Sequence, residues 1–243
     1  MAEAALTHDT LLRGGVRFTQ PADGYRAAID PVLLAAIVPA DFVGRIADLG
    51  CGSGAVALCV AARVRGARIV GVERDPSLAE LAAVNASANG FADRVEIVTA
   101  DMRSAAIARE SCDFALSNPP YLDAPRADPS PHPRRRAATV EGEASLGDWI
   151  AALLAAVRPR GTVALIQRAD RLDDILAALS GSAGEIVVFP LWPRAGEAAR
   201  RVIVRARKAV ATPLRLASGL VLHEGQGFTP AAQAVLDGGA LAL

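Results

Sequence analysis

One segment constrains the fold of this 243-residue chain more than any other: "RIADLGCGSGAVALCVAARV", residues 45–64. An apolar strand pattern runs into a glycine-rich turn and then into an apolar helix pattern, with a second strand, "ARIVGVE", directly behind. A strand, a tight glycine turn, a helix and another strand form a βαβ unit, whose two strands lie parallel with the helix packed across them. The same alternation continues. "PSLAELAAVNASANG" reads as a helix with Pro76 at its start and Gly90 at its end; "RVEIVTAD" and "CDFALSN" read as a third and a fourth strand. After a loop come helix "GDWIAALLAAV", strand "GTVALIQ", helix "RLDDILAALS" and strand "EIVVFPLW". "ARRVIVRARK" alternates arginine with valine and is expected as a further strand, antiparallel at the end of the series. The strands are apolar nearly throughout, as burial on both faces requires. The expectation is an α/β fold. Upstream, "AIDPVLLAAIVPA" follows a short lead and reads as a helix with Asp30 as N-cap and Pro31 at the first helical position. The tail suggests a short strand and a helix capped by Thr229 and Pro230. One domain is expected over 1–243: a lead and helix at 1–44, a core at 45–208 and a C-terminal extension at 209–243.

Composition bounds the class. A hydrophobic fraction of 52% indicates a globular chain with a substantial core. No apolar run reaches the ~18 residues that span a bilayer, and the N-terminus has no secretory pattern. Cys51, Cys59 and Cys112 lack metal-ligand spacing, so no metal is expected and a reduced, cytoplasmic setting fits. A net charge of zero conceals an asymmetry. Through Asp123 there are 11 Lys/Arg against 15 Asp/Glu, and from Ala124 onward 15 against 11. The basic second half is compatible with a polyanionic partner, and equally with ordinary solvated arginines.

Asp48–Gly54, "DLGCGSG", places glycines where positive φ and close backbone approach to a ligand are needed, ahead of a helix N-terminus with unpaired N–H groups. About 20 residues on, Glu73 ends the second strand, where a carboxylate accepts both hydroxyls of a ribose. Gly50, Cys51, Gly52 and Gly54 with Asp48 and Glu73 therefore form a candidate nucleoside-cofactor site. The spacing Gly52-Ser53-Gly54-Ala55-Val56-Ala57 also fits a dinucleotide fingerprint, which keeps a nicotinamide oxidoreductase open. Asp101 and Met102 close the third strand, placed to accept from an adenine amino group and to offer an apolar wall. These three motifs, in order on successive strand ends, resemble the class I S-adenosylmethionine-dependent methyltransferases. The resemblance implies a Rossmann-like fold: a mostly parallel seven-stranded sheet, helices on both faces, one antiparallel strand. It also implies S-adenosylmethionine as cofactor, with the methionine part near Asp48–Gly54, and ribose and adenine near Glu73 and Asp101–Met102.

The fourth strand delivers Asn118-Pro119-Pro120-Tyr121 to the same edge. An amino group conjugated with a ring is a poor nucleophile, because its lone pair is delocalised. Two fixed oxygens accepting its N–H bonds favour a pyramidal nitrogen. The Asn118 side chain and the Pro119 carbonyl offer such a pair; proline stiffens the turn, and Tyr121 offers a stacking ring. The motif resembles N-methyltransferases with an (Asn/Asp)-Pro-Pro-(Tyr/Phe) signature, which implies Asn118 near both methyl donor and acceptor and disfavours the oxidoreductase. Similar enzymes act on adenine, on guanine N2 in ribosomal RNA, or on a release-factor glutamine N5. Only 47 residues precede Asp48, too few for the helical domain of the release-factor enzymes, and the guanine enzymes usually carry Phe after the prolines. "FTQPADG", "DPVLLA", "DLGCGSG", "SNPPY" and "SLGDWI" together most resemble the bacterial tRNA adenine-N6 methyltransferases, whose known member modifies the adenine 3′ of the anticodon in a valine tRNA. That implies a tRNA partner. Arg134, Arg135 and Arg136 in the loop after Tyr121 are candidate phosphate contacts, or a solvated loop. Arg200, Arg201, Arg205 and Arg207 either extend a basic track or protect an edge strand. Trp149 and Trp192 receive no functional role. A non-catalytic RNA-binding module is the remaining alternative.

Overall fold

The computed structural model describes residues 5–23, 27–104, 106–121 and 144–243. An antiparallel hairpin, β1 (Leu6–Leu11) and β2 (Val16–Pro21), comes first. The sequence reading passes over it as a lead, since "LTHDTL" has no clear apolar alternation. What fixes the hairpin is remote in sequence. The Asn85 side chain accepts from the Thr19 N–H at 3.0 Å and donates to the Thr19 carbonyl at 2.8 Å. Asn89 does the same for Arg17, at 2.8 and 2.7 Å. Four helical residues rise about 6 Å, close to two residues of strand. Two amides at that spacing thus bond β2 as a neighbouring strand would.

Helix α1 (Asp30–Ala35) begins one residue before its expected start. Ile29 is the N-cap, with its carbonyl accepting from Leu33 N–H at 2.9 Å, and Asp30 is already helical. Asp30 does not cap because its carboxylate is drawn inward to tertiary partners described below.

The main sheet then builds up as expected: β3 (Val43–Leu49), α2 (Ala55–Arg63), β4 (Gly66–Glu73), α3 (Pro76–Ala88), β5 (Val95–Thr99) and β6 (Cys112–Ser117). Next come α4 (Leu146–Ala156), β7 (Val157–Arg168), α5 (Leu172–Leu179), β8 (Ala183–Trp192) and β9 (Arg201–Lys208). Two-residue strands β10 (Arg215–Leu216) and β11 (Leu220–Val221) both pair with β8, and α6 (Pro230–Leu236) follows with Thr229 as its side-chain cap. The strand order is β10-β8-β9-β7-β6-β3-β4-β5, with β11 also on β8, so the seven expected strands gain two short ones at one margin. Among the seven, β9 runs antiparallel, to both β7 and β8. It is therefore internal, and edge protection does not account for its arginines. Arg207 pairs with Glu185 at 3.2 Å, and Arg205 approaches the same carboxylate at 3.9 Å.

Alternate strand residues serve opposite faces. Ile46, Phe114, Leu116, Ala164 and Ile203 join one buried cluster with α1, α2 and α6; Ala47, Ala115, Val163, Leu165 and Val204 join the other with α4 and α5. The chain runs outward from β3 through β4 to β5, then returns to place β6 on the other side of β3. The reversal opens a crevice at the carboxyl ends of β3 and β6, the usual ligand position in such sheets.

Candidate active site

The glycine turn follows β3 in that crevice. Gly50 and Cys51 N–H groups donate to the Val72 carbonyl at 2.8 and 3.0 Å, tying the turn to β4. Gly50, Gly52 and Gly54 have φ of +70°, +56° and +94°, the left-handed region that side chains disfavour. A methyl at Gly50 would lie 2.5 Å from the Trp149 ring, whereas at Gly52 it would meet nothing within 4 Å. Trp149, to which sequence reasoning assigned nothing, thus floors the turn from below. The open side at Gly52 faces away from packed protein, as a ligand cradle requires.

Two acids line this turn. Glu73 is 8% exposed and accepts from Gly52 N–H and Asp75 N–H, each at 2.9 Å. Both oxygens keep lone pairs for further donors, because an ionised carboxylate accepts about four hydrogen bonds. Asp48 is buried, and one oxygen accepts from Ala57 N–H at 3.1 Å. Its other oxygen has no hydrogen-bond partner among the described residues. Burial, reinforced by nearby Glu73, pushes the Asp48 carboxyl up to about 7 against the opposing Ala57 hydrogen bond. An orphaned buried oxygen beside an open glycine cradle is what a donor-bearing, cationic ligand would complete. Cys51 is buried and its thiol pushed well up by burial, so it is no nucleophile at neutral pH.

At the end of β5, Asp101 is half-exposed and engaged with its own neighbour. The Arg103 side chain bonds both its oxygens, at 3.0 and 2.7 Å, and the Arg103 N–H adds a third bond at 2.8 Å. These contacts hold its carboxyl down to about 2. Met102 packs against the α4–α5 side of the core.

Asn118–Tyr121 leaves β6 beside the turn. Ser117 pairs in register with Leu49 and its hydroxyl donates to the Leu49 carbonyl at 2.8 Å, which locks the base of the motif to the base of the glycine turn. Gln167, wholly buried at the end of β7, donates to the Pro120 carbonyl at 3.0 Å and accepts from Arg168 N–H at 2.8 Å. The Tyr121 phenol donates to Asp30, whose other oxygen pairs with Arg201. Tyr121, Arg168, Asp170, Arg200 and Arg201 line a cavity of about 600 Å³. Asp30 and Gln167 are supports that sequence reasoning missed; a polar residue closing an apolar strand was the one available signal for Gln167. Arg134, Arg135 and Arg136 lie outside the described residues. Among the described residues, no helix is long and apolar enough to cross a membrane, and no cluster of three or more His, Cys, Asp or Glu is arranged to hold a metal ion.

Comparison with known proteins places this arrangement. The family model for the methyltransferase small domain matches residues 28–130, which hold the glycine turn, Glu73, Asp101 and Asn118–Tyr121. A tRNA1(Val) (adenine(37)-N6)-methyltransferase of Aeromonas hydrophila is 31% identical over 182 residues, covering 74% of this chain and 75% of that protein. One from Porphyromonas gingivalis is 35% identical over 158 residues, and the match spans 61% of that relative's length, under two thirds of it. Among solved structures, an Agrobacterium tumefaciens protein described as a predicted O-methyltransferase superposes with a TM-score of 0.74 at 30% identity, covering 88% of this chain and 98% of that one. The fold is also that of P. horikoshii TYW2 in complex with MeSAdo, with a TM-score of 0.58 at 13% identity, covering 86% and 73%. With a relative 31% identical of whose length it covers 75%, the chain belongs to the methyltransferase family that includes the tRNA1(Val) (adenine(37)-N6)-methyltransferases.

Proposed function

We propose that this protein transfers a methyl group from S-adenosylmethionine to the N6 nitrogen of an adenine in tRNA, beside the anticodon. The observation that carries the reading is the Ser117–Leu49 lock, which sets Asn118–Tyr121 directly against the glycine turn. When bound, S-adenosylmethionine supplies an electrophilic methyl on a sulfonium. Glu73 accepts from its ribose hydroxyls, and Asp48 supplies negative charge and an acceptor at its cationic end. Met102 offers an apolar wall to its adenine. Asp101 serves that adenine through backbone groups or by exchanging Arg103 for the ligand.

On the acceptor side, the Asn118 side-chain carbonyl and the Pro119 carbonyl accept the two N–H bonds of the adenine amine. That favours a pyramidal nitrogen and aims its lone pair at the methyl. Gln167 holds the Pro120 carbonyl and so keeps the turn from relaxing. Tyr121 stacks on the extruded base. With the methyl donor bound, the Asn118 and Pro119 carbonyls would hold the amine in place, and the extra proton it gains on methylation would leave to solvent, so no general base is required. The names of the relatives support tRNA as acceptor, and the basic second half of the chain agrees with a polyanionic partner.

The test is incubation with methyl-labelled S-adenosylmethionine and, separately, unmodified tRNA, ribosomal RNA and release factor, followed by nucleoside and peptide mapping. Label in N6-methyladenine of tRNA is the expected result. Label confined to guanine N2 or to a glutamine amide would overturn the acceptor.

A further inference from the structure

Asp30 lies in the first turn of α1, is 4% exposed, and is absent from the chemistry described above. Its two carboxylate oxygens are divided between two residues remote in sequence: one accepts from the Tyr121 phenol, the other from the Arg201 guanidinium. Three elements therefore meet at one buried charge: α1, the turn after β6 and the start of β9. A carboxylate this buried needs such partners, since an unpaired charge there would be strongly disfavoured. Both partners also line the cavity of about 600 Å³ at the end of the Asn118–Tyr121 motif, as do Arg168 and Arg200. The arrangement has a direction. Tyr121 and Arg201 are among the described residues that line the cavity, and the buried Asp30 is not.

The geometry points to Asp30 as a positioning residue for the methyl acceptor, one that fixes the Tyr121 ring and the Arg201 guanidinium as an oriented wall for the incoming nucleotide. The inference rests on the acceptor reading given above. A tyrosine with a free hydroxyl turns about two side-chain bonds, and a base stacking on it must immobilise it. Anchoring the phenol at Asp30 removes that freedom before the acceptor arrives, so the cost does not fall on binding. The shared carboxylate likewise holds the Arg201 guanidinium at the cavity with Tyr121, so that the ring offers a partner to an aromatic base and the guanidinium one to its flanking phosphate. Proline at position 31 contributes by fixing the helix start that carries Asp30. The Asp30 side chain bonds Tyr121 and Arg201 rather than the glycine turn, so its effect is expected on the acceptor and not on the cofactor.

The test is steady-state kinetics on unmodified tRNA for Asp30→Asn, Asp30→Ala, Tyr121→Phe and the double variant Asp30→Ala/Tyr121→Phe, with S-adenosylhomocysteine binding measured by calorimetry. Tyr121→Phe and Asp30→Ala are expected to raise KM for tRNA about fivefold to tenfold, the scale set by losing one pre-ordered side chain. Affinity for S-adenosylhomocysteine should stay unchanged. Asp30→Asn, which keeps an oxygen for the phenol, should recover part of the loss. The double variant should be no worse than Asp30→Ala, because both changes cut the same link. An unchanged KM in Asp30→Ala, fully additive effects in the double variant, or a loss of S-adenosylhomocysteine binding in step with KM would each overturn the proposal. If Asp30→Ala does not fold, Asp30→Asn and Tyr121→Phe carry the same comparison. Should wild-type protein methylate ribosomal RNA or release factor instead, the tRNA reading fails by itself. The variants are then compared on that acceptor, where the same KM pattern upholds Asp30 and its absence rejects it.

Discussion

At the scale of single residues, the site divides into groups whose type announces their chemistry and groups whose role depends on neighbours. Asn118 is of the first kind. Asn118→Ala is expected to keep S-adenosylhomocysteine affinity and to lower single-turnover methylation by about 100-fold, the loss typical of a hydrogen bond made mainly in the transition state. Near-normal turnover would exclude the role. Glu73→Ala should weaken S-adenosylhomocysteine binding in calorimetry, because ribose acceptors and the brace on Gly52 N–H vanish together. Asp48 is of the second kind. Its folded carboxyl sits near 7, raised by burial from an ordinary value of 3.8. A raised pKa means that the folded state holds the proton more tightly. Its stabilising contribution is therefore full below about pH 4 and is lost as pH rises through about 7. In the absence of cofactor, Asp48→Asn should gain thermal midpoint relative to wild type across that window and level off above it. Midpoint curves that run parallel from pH 4.5 to 8 would exclude the effect. Sequence showed that an acid opens the glycine turn, whereas its burial depends on every element packed around it. Asp101 makes the same point in reverse: its position on a strand end was legible, but its engagement by Arg103 two residues on was not.

Among elements, the hairpin β1–β2 owes its place to α3. Asn85 also donates to the Ser53 carbonyl at 2.9 Å, so one buried amide joins the hairpin to the glycine turn. Asn85→Ala removes three hydrogen bonds and leaves their backbone partners unsatisfied, a loss of about 3 kcal/mol by the usual range for buried groups. Urea denaturation should show that loss, and it should weaken S-adenosylhomocysteine binding as the turn loosens. A stability change under about 0.5 kcal/mol, as for an ordinary surface site, would count against the brace. Helix patterns with local end signals, such as Pro76 to Gly90 and Thr229 with Pro230, were readable because local hydrogen bonds define them, whereas the Ser145 capping box of α4 was not read. The hairpin was not readable, since its partners lie 66 to 72 residues away. That β9 is a strand was legible from its arginine–valine alternation, and its antiparallel sense from the family resemblance. Its internal position was not, because strand order is set by which faces the connecting helices cover.

Over the whole molecule, the crevice exists because the chain reverses direction across β3, and the surrounding layers hold it open. The C-terminal extension belongs to those layers. Leu222, Ala232, Val235 and Leu241 join the buried cluster of α1 and α2. Arg63 donates to the Gly238 carbonyl at 3.0 Å and to the Ala35 carbonyl at 2.7 Å, tying the tail to the end of α1. Truncation after Lys208 should therefore lower the thermal midpoint by more than 10 °C, since removing several buried apolar side chains costs about 2 kcal/mol each. It should also disturb Asp30 through α1, visible as a raised KM for the acceptor. A truncated protein with an unchanged midpoint would make the tail an appendage. By itself the sequence determined the βαβ alternation, the glycine turn with its distant acid, and the Asn118–Tyr121 turn motif after the fourth strand. All three are written in short stretches where residue type, φ preference and apolar period act locally. Tertiary structure alone decided that the motif locks to the turn through Ser117 and Leu49, that Gln167 and Asp30 stand behind it, and that β9 is enclosed. These contacts join residues 47 to 171 positions apart, and their free energy is gained only when the sheet brings them together.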